Sequence, residues 1–496
     1  MKVSGAVVAV ALALAAAVQA RAAQPGPVPP SASATQPAAP VAAPAPRPPP
    51  VQSPSVQPIR RDQAALLVRM LEEAPTHGFG GAEFPVAQVA ADARAGDLAA
   101  VERLRALSLA YARAQHGLRI AAARFDPMWG LKPQFYDAGA DLDQALRSDK
   151  LAAWIAAQPP PFARYRTLRD GLAVYRKLAA EGGWKPVPDG PEIVIGETGA
   201  RVRALRARLA FEDGVLASTP LSAPFDETLK ASLARFQARH GLLADGVTGA
   251  RTTAALNVSP ASRATQVRLN MERWRWLPRQ WPVDRIEVNI AAASLEVFQN
   301  GQLSDRMLAA SGRPTDQTPM LQSVIHSIVL NPPWRVPNSI AEKELLPKGA
   351  AYLARNGFTV LPPGQGVRLI QKAGPGAALG QVKFDFANDY GVYLHDTPSR
   401  AAFDRASRAV SHGCVRVQRP FALAKRLLAS APEWPAEKVD EVLDSTETTR
   451  AHLATPMAVL LMYWTAFPDG SQLAFRDDVY GWDAKLLGLL AADRPA

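Results

Sequence analysis

The hydrophobic pattern of the chain changes period twice. Between Arg60 and about Gly190 the apolar residues recur every three or four positions, as in Ala64, Leu66, Leu67, Met70 and Leu71 and again in Leu98, Val101, Leu104, Leu107 and Leu109. That spacing predicts amphipathic helices, with Asp97 placed to cap the second. From Gly196 to Val258 the helical pieces are shorter and end at glycines, and Asp245-Gly246 reads as a tight turn into the last of them. An amphipathic helix end, Met271–Pro278, closes this region. The period then falls to two. Ile286–Ile290 and Leu295–Phe298 predict a meander turning at Gln299–Gln302, and Ser323–Leu330, Val367–Ile370 and Gly391–His395 predict further strands. A helix over Phe421–Leu428 and a closing hairpin, Val459–Phe467 with Leu473–Phe475 around a turn at Pro468–Gly470, complete the pattern.

Ahead of the first helix the sequence is of another kind. Met1-Lys2 is followed by the apolar run Ala6–Val18 and by small residues that offer cleavage at Ala20, Ala22 or Ala23, so residues 1–22 read as a secretory signal peptide. The run is shorter than the roughly 18 residues of a spanning helix, and no integral membrane segment is expected once it is removed. Residues 23–60 hold 13 prolines between Pro25 and Pro58 with no leucine, aromatic or acidic residue among them, a Pro/Ala-rich disordered linker. The remainder, in a chain of 496 residues that is 48% apolar, can bury several cores. A net charge of +11 favours an anionic partner. The basic residues are spread along helices such as Arg201–Arg208 and Arg400–Arg408, which suits a polyanionic polymer, and no nucleic-acid motif accompanies them.

Cys414 is the single cysteine, so no disulfide can form within the chain. An unpaired thiol in an exported protein is open to oxidation, which makes its retention informative. It lies in Ser411-His412-Gly413-Cys414-Val415-Arg416, where glycine lets the backbone approach a carbonyl and a histidine can hold a proton, as a nucleophile requires.

Several stretches resemble known families. Gly196 and Gly199, Val202, Leu205 and Leu209, Phe225-Asp226, Phe236-Gln237 with His240-Gly241-Leu242, and Asp245-Gly246 with Gly249 and Thr252 resemble a three-helix peptidoglycan-binding module. His395, sixteen residues, then Ser411-His412-Gly413-Cys414-Val415-Arg416 resembles the signature of the cysteine-dependent L,D-transpeptidases. Asn270–Pro278, Asn331-Pro-Pro-Trp334, Leu346-Pro-Lys348, Gly374-Pro375 with Leu379-Gly380, and Tyr393 to Pro398 extend that resemblance to the long periplasmic subfamily, in which such a module precedes the catalytic domain and an inserted lid covers the site.

The fold expected is therefore multidomain: a mainly β catalytic domain of the L,D-transpeptidase type with an inserted lid, an α-helical scaffold and a three-helix peptidoglycan-binding module. The boundaries expected are 61–190 for the scaffold, 191–259 for the module, 260–283 for a scaffold helix and connector, and 284–496 for the catalytic domain, with the lid at about 336–385. Glycines from Gly349 to Gly380 suit a hinged lid. The resemblance implies a periplasmic, wall-associated enzyme that forms 3-3 crosslinks through a Cys414 acyl-enzyme on a stem tetrapeptide donor, with a diamino acid acceptor. It implies no cofactor and no metal. The same acyl-enzyme could serve protein attachment to murein, D-amino acid exchange or L,D-carboxypeptidase hydrolysis, and a non-catalytic wall-binding protein is the other class. The backbone N–H groups at Gly413 and Cys414 are natural oxyanion donors, and Arg416 is placed to support the site or meet a substrate carboxylate. Tyr393, Ser411 and Trp334 are expected to contact substrate. Two histidines compete as base. His412 sits two residues from the thiol, whereas His395 comes from a strand end with Tyr393 and Asp396 beside it to fix its tautomer; position and resemblance favour His395, leaving His412 a secondary contact.

Overall fold

The computed structural model describes residues 57–362, 364, 366 and 368–492, so the signal segment and most of the linker lie outside the described residues. The first helices, among them Arg61–Glu72 and Leu98–Gln115, enclose their own core around Leu67, Leu71, Leu104 and Trp154. Asp97 accepts the Ala100 N–H at 2.8 Å, the cap its position predicts.

The second helical module is built from Ala200–Ala210, the single turn Gly214–Ala217, Glu227–Arg239 and Ala250–Leu256, around Leu205, Leu209, Phe225, Leu233 and Phe236. Its hub is Gln237, buried under the Asp245-Gly246 turn. The Gln237 amide donates to Asp245 Oδ1 at 2.9 Å, to the Val247 carbonyl at 3.0 Å and to Thr252 Oγ1 at 3.1 Å, and its oxygen accepts the Gly246 N–H at 2.7 Å. One side chain thus fixes the turn and the start of the last helix.

The helix Pro260–Arg275 opens with Ser259 as cap and proline at its first position. It is buried on nearly all sides, charges included. Glu272 binds Arg275 at 2.6 Å and Arg119 of the first helical layer at 3.0 Å. Arg273 reaches Asp483 on the closing helix Trp482–Ala492 at 2.5 Å. Asn270 exchanges bonds with Thr465, accepting its N–H at 3.0 Å and donating to its hydroxyl at 2.8 Å. Trp274 stacks on Trp464 with ring centroids 4.8 Å apart. This helix stitches the helical layers to the β unit.

In that unit β1 (Arg285–Asn289), β2 (Ser294–Gln299) and β3 (Gln302–Gly312) form the predicted meander, and β4 (Leu321–Leu330), expected as a further strand, pairs with later strands instead of β3. The chain then leaves the sheet through β5 (Trp334–Val336), short helical turns, β6 (Phe358–Val360) and β7 (Leu369–Gln371). It returns as β8 (Val382–Phe386), β9 (Leu394–His395), β10 (Ala409–Ser411), β11 (Val415–Val417) and β12 (Thr449–Met462), and ends in the hairpin β13 (Ala466–Asp469) and β14 (Gln472–Phe475). The main sheet runs β10-β3-β11-β9-β8-β4-β12-β1-β2, and β2 also pairs with β3, so it closes on itself. The excursion is a separate small sheet, β5-β7-β6, with its own core of Val336, Ala341, Leu345, Leu353 and Leu369.

Three expectations change. The strand placed at Val367–Ile370 is β7 and belongs to the excursion. β8 lies in the main sheet, so the inserted body begins at β5 and ends before Val382 rather than spanning 336–385. Val459–Met462 is the end of a long central strand, and only Ala466–Phe475 forms the closing hairpin. A strand covered on both faces loses the alternation that marks half-buried strands, so its run of apolar residues merged in sequence with the hairpin that follows.

Replacing Glu272 by alanine leaves Arg275 buried without its partner carboxylate, and a loss of about 3–5 kcal/mol is expected. A clearly lower urea midpoint is the result anticipated; an unchanged midpoint would show that the network adds nothing to stability.

Candidate active site

β9 and β11 are parallel neighbours in the register Val415 to Leu394 and Arg416 to His395, and the Val415 N–H donates to the Tyr393 carbonyl at 3.0 Å. Side chains alternate across a sheet, so Leu394 and Val415 face the core, both fully buried. Tyr393, His395, Cys414 and Arg416 share the opposite face. β8 adds Lys383, paired with His395, and its ammonium lies 4.3 Å from the Tyr393 ring centre. The sequence thus brings the expected nucleophile, base, tyrosine and arginine together by strand register alone.

Burial pushes the Cys414 thiol above its ordinary value, and the Tyr393 N–H and hydroxyl, with Lys383 and Arg416, act in the opposite direction. Burial, then the positive charge of Arg416, takes His395 down to about 3. At neutral pH both groups therefore rest uncharged. The carbonyls of Asp396 and Leu379 face the imidazole, while Nδ1 has no partner in hydrogen-bond geometry among the described residues. Lys383 is paired with Asp385 at 3.0 Å, and Asp385 with Arg450 at 3.3 Å. The Arg416 Nε is buried with no hydrogen-bond partner among the described residues.

Other expected residues are differently employed. The Asp396 carboxylate does not orient His395; it accepts the N–H groups of Gln381 at 2.9 Å and Thr397 at 2.6 Å and pairs with Arg400 at 2.6 Å. Gly380 has φ +59°, and a Cβ there would stand 2.2 Å from Asp396 Oδ2, so the return from the excursion needs glycine at this point. Ser411 does not face the substrate side with a free hydroxyl: it donates to the Cys414 carbonyl and accepts the Gly413 N–H at 3.2 Å. That second bond takes Gly413, at φ +107°, out of the expected oxyanion pair as it stands. The Gly413 carbonyl accepts from Thr318 Oγ1 at 2.7 Å. The N–H of Cys414 is bonded to no described residue.

His412 turns toward the excursion, where its Nε2 lies 2.8 Å from Glu344 Oε1, and Arg313 binds the same oxygen at 3.0 Å. Trp334, half-buried at the start of β5, acts on the Tyr393 hydroxyl through its indole N–H. Lys383, Glu344 and Thr318 were not singled out by the sequence. Lys383 could have been found from the alternation of Val382–Phe386, whereas Glu344 carries no local signal. Among the described residues no group of His, Cys, Asp or Glu is arranged to hold a metal ion, and no helix is long and apolar enough to cross a membrane.

Residues 283–442 match the family model described as L,D-transpeptidase catalytic domain, residues 58–172 the scaffold domain and residues 198–256 the "putative peptidoglycan binding domain". A Haemophilus influenzae protein named "Putative L,D-transpeptidase" is 32% identical over 249 residues, which are 46% of this chain and 50% of that protein. The matched region thus spans about half the length of that relative. Among solved structures, the L,D-transpeptidase of Xylanimonas cellulosilytica is 16% identical, over 55% of this chain and all of that one, with a TM-score of 0.19. The catalytic domain of the E. faecium L,D-transpeptidase acylated by ertapenem is 14% identical, over 37% of this chain and 99% of that one, with a TM-score of 0.20. Residues 283–442 are a catalytic domain of the L,D-transpeptidase family, and a scaffold domain and a peptidoglycan-binding domain precede it in the same chain.

Proposed function

We propose that the protein is an L,D-transpeptidase of the cell wall that forms 3-3 crosslinks through an acyl-enzyme on Cys414. The observation that carries this reading is the register of β9 on β11, which gathers Cys414, Tyr393, His395 and the Arg416 cation on one face, the Arg416 Nε having no hydrogen-bond partner among the described residues. Since thiol and imidazole rest neutral, His395 takes the proton as Sγ attacks the donor carbonyl, so charge develops only when substrate is in place. The oxyanion meets the Cys414 N–H, and the Tyr393 hydroxyl, which rests on the thiol in the free enzyme, turns to it as Sγ forms its new bond. His395 returns the proton to the departing amine, a thioester remains, and an acceptor amine then resolves it in a second cycle of the same steps. Arg416 receives a carboxylate of the donor. The excursion acts as a lid, held to the catalytic loop through His412 and Glu344, and keeps water from the thioester. The signal segment expected at the N-terminus and the match to a peptidoglycan-binding domain support the periplasm as the compartment of this work.

Incubation with a carbapenem followed by intact-mass measurement is expected to add one acyl group at Cys414, and digestion of treated murein is expected to yield direct diamino-to-diamino linkages. Shortened stems without new linkages would point to hydrolysis. Replacing His395 by alanine should slow acylation by about two or more orders of magnitude near neutral pH, the range of a lost general base. His412→Ala should cost clearly less, because that ring serves the lid contact; the reverse order in folded variants would make His412 the base.

The same assay carries a pH expectation. His395 protonates only near 3 and the thiol ionises above its ordinary range, so the neutral pair is populated throughout the interval between. The acylation rate should then stay level from about pH 5 to about 8. A limb with its midpoint near the ordinary imidazole value of about 6.5 would mean that His395 is solvated in the reacting state.

A further inference from the structure

The signature residues of the second helical module are consumed by its own fold. Gln237 is the hub under the Asp245-Gly246 turn, and Phe236, Thr252 and His240 are buried with it. His240 stacks between Phe236, at 3.8 Å, and Phe475 of β14, at 5.6 Å. None of these can meet a polymer in solution, so a wall contact must come from another part of the module's surface.

A cavity of about 420 Å³ opens where the module meets the helix Ala163–Ala180 and the turn between β13 and β14. Its size falls in the range of about 300–1,000 Å³ typical of small-ligand sites. The inner wall is aromatic. Tyr175 and Trp184 are both more than nine-tenths buried, with ring centroids 6.4 Å apart, and Phe211, half exposed at the rim, stands 5.9 Å from Trp184. Neither the Tyr175 hydroxyl nor the Trp184 indole N–H has a hydrogen-bond partner among the described residues. Helix and turn close tightly behind them: a Cβ on Gly171 would lie 2.3 Å from Leu473 Cδ1.

The rim decides the chemistry of the ligand. Asp170 is exposed and has no ion pair among the described residues. Glu212 bridges Arg239 at 3.2 Å and Arg208 at 2.7 Å, and the Arg208 guanidinium also lies 3.7 Å from the Trp184 ring centre, so both cations are held by groups of the cavity wall and point no free head at an acidic ligand. Ser471 and Gln472 add a hydroxyl and an amide at the turn. A free carboxylate beside neutral polar groups repels the carboxylates of a stem peptide but accepts hydrogen bonds from hydroxyls. Aromatic faces, negative at their centres, receive the C–H face of a sugar ring.

We propose that this cavity binds a neutral, N-acetylated sugar unit of the wall glycan strand, and that the scaffold helix and the β13–β14 turn complete the site that the module cannot form alone. The inference deepens the reading of the chain as a wall enzyme and rests on it. The pyranose packs against the half-exposed face of Phe211 and the edge of Trp184, whose ring face carries Arg208, its hydroxyls reach Asp170 and the Tyr175 hydroxyl, and the acetyl methyl meets Leu473 and Val174. Glycan would then be held by the scaffold helix, the module and the hairpin that follows the matched catalytic region, leaving the stem peptide free to reach Cys414.

The test uses the full chain and two probes: sedimentation with insoluble murein sacculi, and calorimetry with a soluble N-acetylglucosamine tetramer. The unaltered protein should bind both. Phe211→Ala and Asp170→Asn, both at exposed positions, should each weaken both interactions by about tenfold or more, while carbapenem acylation of Cys414 is unchanged. Undiminished sacculus and tetramer binding by both variants would overturn the site while leaving the wall-enzyme reading standing. Binding of sacculi but not of the tetramer by the unaltered protein would overturn the sugar as ligand. Failure to bind sacculi at all would overturn this inference and the wall-binding role together, and carbapenem acylation would then judge the enzyme reading separately.

Discussion

Glu272 is a carboxylate with no access to water, and the arrangement of the whole molecule follows from how its charge is met. Burial opposes its ionisation, yet Arg119 and Arg275 hold it below the ordinary carboxylate range. Taking an ion pair out of water costs several kcal/mol per ion, so such a group persists only where its partners are fixed in place. Here one partner sits on the same helix and the other comes from the helical layer, while the next residue, Arg273, reaches the closing helix through Asp483. The helix Pro260–Arg275 can therefore occupy one position only. Because Trp274 and Asn270 on it engage Trp464 and Thr465, between β12 and β13, the catalytic sheet inherits that position.

Periodicity made the broad plan legible. The outer helices of the first half and the alternating strand β2 each keep one face less buried than the other, and that difference is what writes a period into a sequence. Where both faces are covered the signal fades, and β12 shows the effect. The lid boundary failed for a related reason: β8 alternates as the earlier strands do, and nothing local says to which sheet a strand belongs. Several motif positions that the family resemblance supplied turn out to serve construction. Asn331, at φ +48° and fully buried, donates to the Val442 carbonyl at 2.7 Å and so anchors the departure of the excursion.

The candidate site residues were legible in type, and the structure gathers four of them on one face of the sheet. A lone cysteine flanked by glycine and histidine can be recognised without a structure. What could not be read is where each polar hydrogen goes. Ser411 and Gly413 look available in sequence, but a loop turning that sharply satisfies its own donors first: the Gly413 N–H goes to Ser411, and the Ser411 hydroxyl to the Cys414 carbonyl. Asp396 beside His395 looks like an orienting carboxylate until its three partners are counted. Such competition depends on geometry from distant segments, as the pairing of His412 with Glu344 also does.

The order of strands has a consequence for how the protein is made. β1 pairs with β2 on one side and with β12 on the other, Ile286 lying beside Val459, so the ring cannot close until a segment far along the chain is available. Cys414 precedes that segment. While the polypeptide is still emerging, its thiol exists without the sheet that holds Tyr393 and His395 beside it. Pairings between such remote segments form late. With Cys414 as the proposed nucleophile, reactivity is thereby tied to completion: a nascent or truncated chain has the cysteine without the Tyr393 and His395 neighbours that the finished sheet sets beside it.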